Sequence, residues 1–539
     1  MDHQAHSLVD ALSDAHLVKQ WWTGQWPKRG AGFSGPSRPE WAAMDALRDQ
    51  NGTGLADRQM LCAVLEAQYQ EADLPMPGRC AELGRPEVRT VTTGHQLCLA
   101  TGPAFTWYKV MTTVALAEAL EARWGTPVIP VFWMASEDHD FEEVAALWTG
   151  RDWHRWEPSA EAVIGGAVGR MHTDGLPEFI REWAAEAGVD TSVADRLAKA
   201  GRGTLSSAMR HWMHQWFGPD RIVVIDGDDP QFKAGFAPYL EEEWTQGILD
   251  REVTEVNAAM SADGHAPQVH VRPVNLFHMA EGQRDRIVPD GNGGWSAGSR
   301  NWPDSNSVSR HMAEDAVSVS PNALMRPLYQ SWLLPDVAVV GGLAEVAYWL
   351  QLATSYEAFG LSQPALVPRD GGWILSASQQ ETMAALGVTR EALGQGISDW
   401  EQHFISRQKP ADAGAWRRAI LDQEANTLSA FKKLDASLEG SVKATRAKMG
   451  KLLDKLEQQA RRAVRRQCAL DLERLQELHA GLHPAGGGQE RTANLWALLS
   501  DIEIGNEEGL ARILEAGFDR GHDGSMWTPK MHVWTDRPM

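Results

Sequence analysis

The sequence predicts an α/β protein whose core is a doubly wound parallel sheet, extended by connecting insertions and by an α-helical coiled-coil hairpin. Three observations carry this. The strand-like run Arg89-Thr-Val-Thr-Thr93 breaks into Gly94-His95-Gln96, and helix-patterned residues 110–122 then lead to a second strand-like run over 127–134. The same order recurs downstream, where Val337-Ala-Val-Val340 meets Gly341-Gly342, residues 345–359 are helix-patterned, and Pro364-Ala-Leu-Val367 ends in Pro368-Arg369-Asp370. Apart from the Thr-rich first, these runs are short and continuously apolar, as parallel strands covered on both faces should be. Polar groups follow the strand ends, where an open parallel sheet forms its crevice.

Residues 1–88 read as an N-terminal helical cap, because Leu8, Leu12 and Leu17, and later Met60, Leu61, Val64 and Leu65, fall at helical spacings. The core is expected over 89–400, with insertions at about 148–217 and 251–320. The first insertion is polar and Trp-bearing and closes in a helix over 204–217. Arg221-Ile-Val-Val-Ile-Asp226, stopped by Gly227-Asp-Asp-Pro230, is a further buried strand. The second insertion carries the alternating runs Gln268-Val-His-Val-Arg-Pro273 and Asn275-Leu-Phe-His-Met279 before a loop rich in Gly, Asn and Ser.

Over 411–482 the texture becomes charged helix. Leu421, Leu428, Phe431 and Leu438, then Met449, Leu453, Leu456, Ala460, Ala463, Gln467 and Leu470, form a coiled-coil seam. Gly440 and Ser441 sit between the two sets, so two antiparallel helices joined there are expected, the second roughly 60 Å long. Such a hairpin either packs on its own core or meets another copy, and a homodimer contact is the expectation. Residues 489–539 should return to the core.

At 539 residues and 43% hydrophobic composition the chain can bury a core in two to four domains without staples. Cys62, Cys80, Cys98 and Cys468 form no CxxC pair and follow no signal peptide, which points to the reducing cytoplasm and against a disulfide framework. No apolar run reaches the roughly 18 residues that cross a bilayer. A net charge of −21 repels a phosphate backbone, so a small molecule is expected as partner rather than nucleic acid.

The ordered series Thr93-Gly-His-Gln96, Thr101-Gly-Pro103 with Trp107-Tyr-Lys109, Val131-Phe-Trp-Met-Ala-Ser-Glu-Asp-His-Asp140, Val224-Ile-Asp-Gly-Asp-Asp-Pro230, Asn275-Leu-Phe277, Ser320-Pro-Asn-Ala-Leu-Met-Arg-Pro-Leu-Tyr-Gln330, Gly341-Gly-Leu-Ala-Glu345 and Val367-Pro-Arg369 closely resembles the bacillithiol biosynthesis cysteine-adding enzymes. With the helical hairpin and Gln489-Glu-Arg491, the resemblance spans about residues 91–496. It implies a ligase joining cysteine to glucosaminyl malate in the last step to bacillithiol, on a Rossmann-like core with a coiled-coil dimerisation element. Position 95 is His where many members have Gln, and Cys98 and His278 replace an expected Asn and aromatic.

Amide formation from a carboxylate requires an activated oxygen, so ATP is expected, through an acyl phosphate or acyl adenylate, with Mg²⁺ as its companion. Thr93, Gly94, Gln96, Thr101 and Gly102 form turns that allow close backbone approach, and a helix starting near Pro103 offers free N–H groups to an anion, with Tyr108 and the cation Lys109 following. His95 bonds a phosphate oxygen, orients substrate, or caps the turn. Asp138 and His139 are the expected acid/base and binding pair, whereas Asp140, Glu142 and Glu143 suit the first turn of the next helix. No second His or Cys at ligand spacing supports zinc.

Asn322, Arg326 and Gln330 recur every four residues and could share a helix face suited to a carboxylate, although Pro327 fits only a first turn. Gly341, Gly342, Glu345 and Tyr348 repeat the strand, glycine, helix logic as a second wall of the crevice. Arg369 binds an anion or pairs with Asp370, and Asp226 and Asp228 rank lower as ribose contacts. Two rivals remain. A nucleotidyltransferase or aminoacyl-tRNA-synthetase-like enzyme is suggested by Gly94-His95 and Lys448-Met-Gly-Lys451, but the second motif falls inside the coiled-coil arm. A nucleotide-binding coiled-coil scaffold is the other.

Overall fold

The computed structural model describes residues 1–10, 12–13, 16–27, 37–50, 53–158, 165–280, 282–408, 418–419, 424–518 and 526–536. The chain divides into two compact units, Met1–Ser376 with the segment from Glu490 onward, and Ala377–Gln489.

The first unit is built on five strands: β1 (Arg89–His95), β2 (Val128–Met134), β3 (Val223–Asp226), β4 (Asp336–Gly341) and β5 (Ala365–Pro368). All neighbours are parallel and the order is β5-β4-β1-β2-β3. The chain winds outward from β1 through β2 to β3, then returns to the other side of β1 for β4 and β5. Its direction of travel reverses between β1 and β4, the place where a Rossmann-type sheet opens its ligand crevice. Every residue of β2 and β4 is buried. That accounts for the apolar character of β2 and of β4 beyond its first residue, Asp336; such burial needs helices on both faces. The helix Phe105–Trp124 makes the first crossover and stops at Gly125, which takes φ 65°.

Several details differ from the sequence reading. Asp2–Ser7, inside the expected helical cap, is a strand paired antiparallel to Lys530–Thr535, which in turn runs parallel to Gly371–Leu375. Its residues are polar and its pairing partner lies at the far end of the chain, so no local periodicity announces it. The helix Leu205–Phe217, read as part of an insertion, leads directly into β3. Of the alternating runs, Leu276–Ala280 is a strand flanked by Gln283–Arg286 and Val319–Pro321. Residues 268–273 form no strand, because the amides of Gln268 and Val269 bond the side chain of Gln351. The expected helix over 345–359 is two, Leu343–Leu350 and Ala353–Ala358.

The second unit begins at Ala377, so residues 377–400, expected in the core, belong with the long helices. Ile397–Arg407 packs on Ala469–Leu482, which buries Trp400 and Phe404 together with Leu472, Leu475 and Leu478. The hairpin joins Glu424–Leu434 to Glu439–Gln467 through a short 3₁₀ turn at Ala436–Leu438. Gly440 and Ser441 thus lie within the second helix, and Leu438 stands at its N-cap. That arm breaks at Cys468 instead of running on as one rod. Leu421 of the expected seam lies outside the described residues. Lys448 and Lys451 lie within a helix, so the synthetase-like reading of that motif has no loop to stand on. Among the described residues no helix is long and apolar enough to cross a membrane.

Candidate functional site

Among the described residues, two of the cavities past the carboxyl ends of the strands share a wall. One of about 390 Å³ sits at the reversal of the sheet and is lined by Gly94, His95 and Gln96 from the end of β1, Lys109 from the crossover helix, and Arg326, Glu345 and Tyr348 from beyond the other edge. The second, about 400 Å³, is lined by Glu137 and Asp138 after β2, Asp228 after β3, and Phe277, Arg284, Arg286 and Asn322 from the second insertion. Trp133, Ala135 and Arg326 line both. Residues more than two hundred positions apart therefore meet around one guanidinium, and each cavity has the volume of a small-molecule site.

In the smaller cavity Lys109 is almost wholly buried and lies 2.6 Å from a Glu345 oxygen and 2.9 Å from the Gly94 carbonyl. Burial lowers the Lys109 pKa, with Glu345 pulling the other way. Burial also opposes ionisation of Glu345, but Lys109 and the Gly342 N–H outweigh it and hold the carboxyl below its usual range. The Gly342 N–H donates to Glu345 at 2.8 Å, so this carboxylate caps the helix Leu343–Leu350 while pairing with the lysine. His95 sits 2.9 Å from the Gln96 carbonyl through Nδ1. A carbonyl only accepts, so Nδ1 carries the proton and Nε2 keeps its lone pair. Burial, assisted by Lys109, brings the His95 pKa down to about 4, and the ring is neutral at physiological pH.

Arg326 donates to Gln330 Oε1 at 3.0 Å and to the Tyr348 hydroxyl at 3.2 Å. Two of its five N–H groups are thereby engaged within the chain, and the fork is held across the junction of the cavities. In the larger cavity the Asp138 carboxylate accepts the His139 backbone N–H at 2.8 Å and Gln96 Nε2 at 2.9 Å. Gln96 also donates to Glu143 at 2.7 Å, tying the β1 and β2 turns together. Arg284 Nη1 lies 3.1 Å from His139 Nδ1. Arginine only donates, so that nitrogen accepts and the His139 proton resides on Nε2. Arg284 further donates to Ser320 and the Pro321 carbonyl and lies over the ring of Phe277, with Arg286 against the same ring. Beneath, buried Lys233 joins Glu137 (2.6 Å) and Asp228 (3.0 Å), while Arg170 forks onto Asp228 at 2.6 and 2.7 Å. Burial works against the Lys233 ammonium, yet the two carboxylates together raise its pKa.

The structure thus gathers Gly94, His95, Gln96, Lys109, Asp138, Asn322, Arg326, Glu345 and Tyr348 around connected hollows, with His139 one bond away through Arg284. Gln330 and Gly341 stand behind Arg326 in a narrow crevice. Asn322 precedes the helix Arg326–Leu333 and caps its approach by accepting the Leu324 and Met325 amides, so it shares no helix face with Arg326 and Gln330.

Other residues proposed from sequence face elsewhere. The Thr93 hydroxyl bonds the Val340 carbonyl, linking β1 to β4. Thr101 is buried and accepts the Trp107 indole N–H, and Tyr108 is buried with its ring stacked on Trp534. The expected anion seat at Gly102 and the helix start is taken by the chain itself. Asn494 donates to the Ala100 and Gly102 carbonyls, and the amides of Ala104, Thr106, Trp107 and Tyr108 already bond backbone carbonyls. Gly102 is needed for a different reason: at φ 71° an added Cβ would lie 2.6 Å from Cys98 Cβ. Arg369 pairs with neither an open anion site nor the Asp370 carboxylate; its fork meets Glu490 at 2.7 and 3.2 Å. Asp226 accepts the hydroxyls of Ser136 and Ser206.

Sequence reasoning missed Arg284, Arg286 and Lys233. Lys233 was findable: it shares the apolar face of its helix with Phe236 and Leu240, a position where an unpaired cation would be costly. Arg284 and Arg286 lie on the short polar strand Gln283–Arg286 and give no such signal.

Residues 30–370 match the family described as bacillithiol biosynthesis BshC, N-terminal Rossmann-like domain, and residues 373–507 match the BshC C-terminal coiled-coil domain. A Cytophaga hutchinsonii protein is 31% identical across 86% of this chain and 89% of its own length. One from Salinibacter ruber is 31% identical across 90% of each, and one from Flavobacterium psychrophilum 29% identical across 84% and 85%. All three bear the name "Putative cysteine ligase BshC". With residues 30–370 and 373–507 matched in order, and with a relative 31% identical across 86% of the chain, this protein belongs to the BshC family of bacillithiol biosynthesis.

Proposed function

We propose that this chain is a ligase that joins cysteine to glucosaminyl malate through an amide bond, with ATP as the activating nucleotide, in the last step of bacillithiol formation. The observation that carries this reading is the junction at Arg326: two cavities of molecular size share one cation, as two reactants that must meet would require. The names of the relatives, which call them cysteine ligases, support the reaction class.

A nucleotide phosphate fits beside Lys109 and Arg326, the cations of the cavity at the sheet reversal. It does not fit the turn at Gly102, whose amides are spent. When bound, ATP supplies the conversion of a carboxylate oxygen into a leaving group, and Mg²⁺ in this reading travels with its phosphates. The chain's own groups do the rest. Arg284, Arg286 and Arg326 offer guanidinium forks to the two carboxylates of malate. Asp138, steadied by Gln96, receives the attacking amine and takes its proton. His95, neutral and weakly basic, serves better as a hydrogen-bond acceptor from substrate than as a base. Phe277 and Trp133 wall the cavity and limit water.

We further read the helical unit as a homodimer contact, because Phe431, Met449, Leu456 and Leu470 of the apolar seam are 42%, 39%, 44% and 62% exposed. The four cysteines are unpaired, in keeping with a reducing cytoplasm.

Thiol profiling tests the assignment. In a bacillithiol-producing host lacking its own enzyme, this chain should restore bacillithiol and clear accumulated glucosaminyl malate, and Arg326→Ala should not. Unchanged thiols on adding the wild-type chain reject the ligase reading.

A further inference from the structure

Asp336 is a carboxylic acid at the first position of β4, in the middle of the sheet and 1% exposed. One of its oxygens accepts the Thr90 and Thr92 hydroxyls from β1, the other accepts Gln330 Nε2 at 2.7 Å. Gln330 is itself 1% exposed, and its Oε1 accepts Arg326 Nη1 at 3.0 Å. A carboxylate lies on one side of this amide and a guanidinium on the other, so only one orientation satisfies both: NH₂ toward Asp336, oxygen toward Arg326.

We propose that Asp336 is the positioning residue of the site, locking the Gln330 amide so that its oxygen holds the Arg326 fork across the junction of the two cavities.

Two further observations support the assignment. β4 slips register between Asp336 and Ala338, an irregularity of the kind that aims a side chain near a functional site. Burial also raises the Asp336 pKa to about 7 against the pull of Thr90, Thr92, Gln330 and Arg326, so the group is costly where an apolar residue would pack at less expense. The hydrogen bonds of the carboxyl all lead either to the β1 hydroxyls or, through Gln330, to the cavity.

The inference rests on the reading that Arg326 meets a substrate or nucleotide anion. It is tested by titrating the folded chain calorimetrically with ATP and, separately, with L-malate. Asp336→Leu removes the acceptor for Gln330 and should weaken the probe that binds Arg326 by about 10-fold or more, the usual scale for losing an orienting partner. Asp336→Asn can turn its NH₂ to the threonine hydroxyls and keep its oxygen toward Gln330, so it should stay within about 3-fold of wild type. Thr90→Val removes a bond to Asp336 on the side away from Arg326 and should lower stability without changing the dissociation constant. Should Asp336→Leu fail to fold, Gln330→Leu breaks the same chain one bond nearer the cavity. Wild-type affinity in Asp336→Leu or Gln330→Leu, with affinity lost in Arg326→Ala, overturns the positioning role and leaves the function standing. Wild-type affinity for both probes in Arg326→Ala overturns both.

Discussion

Replacing Lys109 by Met tests whether the floor of the smaller cavity is an obligatory ion pair. Lys109 is 2% exposed and its partner Glu345 32%, with 2.6 Å between charges. Removing one member of a buried pair costs roughly 3–5 kcal/mol, because the survivor is left charged without compensation. Here Glu345 keeps the Gly342 N–H and reaches water, so Lys109→Met should cost about 3 kcal/mol, the low end of that range. Glu345→Gln strands the deeper partner and should cost more. Its ceiling is about 5 kcal/mol, since a lysine without a counter-charge can release its proton at pH 7. Lys109→Met with Glu345→Gln restores a neutral pair in which Gln still caps Gly342, and should return to within about 1 kcal/mol of wild type, a coupling of about 5 kcal/mol or more. Thermal unfolding reads this as a loss of about 6 °C for Lys109→Met at roughly 2 °C per kcal/mol for a large unit. Additive losses in the double variant, or a Lys109→Met loss under about 1 kcal/mol, would refute the reasoning.

Other outcomes follow from the same structure. Burial holds the folded Asp336 pKa near 7 against an ordinary 3.8, so the stability this group lends below about pH 4 is lost as pH rises through 7, by about 4 kcal/mol; Asp336→Asn should flatten unfolding curves taken from pH 5 to 8, and parallel curves would exclude the effect. At Gly227 an added Cβ would stand 2.4 Å from Trp133 Cζ2, so Gly227→Ala should displace that ring and cost about 1–3 kcal/mol. Gly78 has nothing within 4 Å and lies in a helix, so Gly78→Ala should instead stabilise by about 0.5–1 kcal/mol, and equal melting shifts for the two would contradict the packing account. Leu456→Glu, at a 44% exposed seam position, should halve the mass seen by light scattering while leaving the melting temperature in place; an unchanged mass counts against the dimer.

What was legible in the sequence follows from how locally each feature is encoded. The inner strands carry their own evidence, since a strand buried on both faces is apolar: β2 is so throughout and β4 from Val337 on, while β1 is marked by its β-branched threonines. The strand Asp2–Ser7 carries none: its residues are polar, half of them exposed, and only pairing with Lys530–Thr535 makes it a strand. The hairpin was readable from its seam, but its turn fell at Ala436–Leu438 and not at Gly440, because one glycine in an exposed helix costs only about 1 kcal/mol and is tolerated where the turn is made by other means.

The site divides along the same line, and the division explains why the anion seat moved. A glycine turn before a helix advertises free amides, and Gly102 met that description. Whether those amides are free depends on what the rest of the chain brings: the Ala493 carbonyl, nearly four hundred residues away, takes the Ala104 amide, while the neighbouring Asn494 side chain donates to the Ala100 and Gly102 carbonyls. The charge that can meet an anion comes instead from Lys109 and Arg326, which reach the sheet reversal from opposite sides of it. Lys109 arrives already paired with Glu345, so the pair contributes little net charge and Arg326 supplies most of the cavity's attraction. An anion entering beside Lys109 must either accept that single fork or displace Glu345, taking over both the ammonium and the Gly342 N–H that the carboxylate now holds. If displacement is the route, Glu345→Gln should bind ATP more tightly than wild type despite its lower stability. Weaker binding would show that Glu345 positions the lysine for its ligand instead of competing with it.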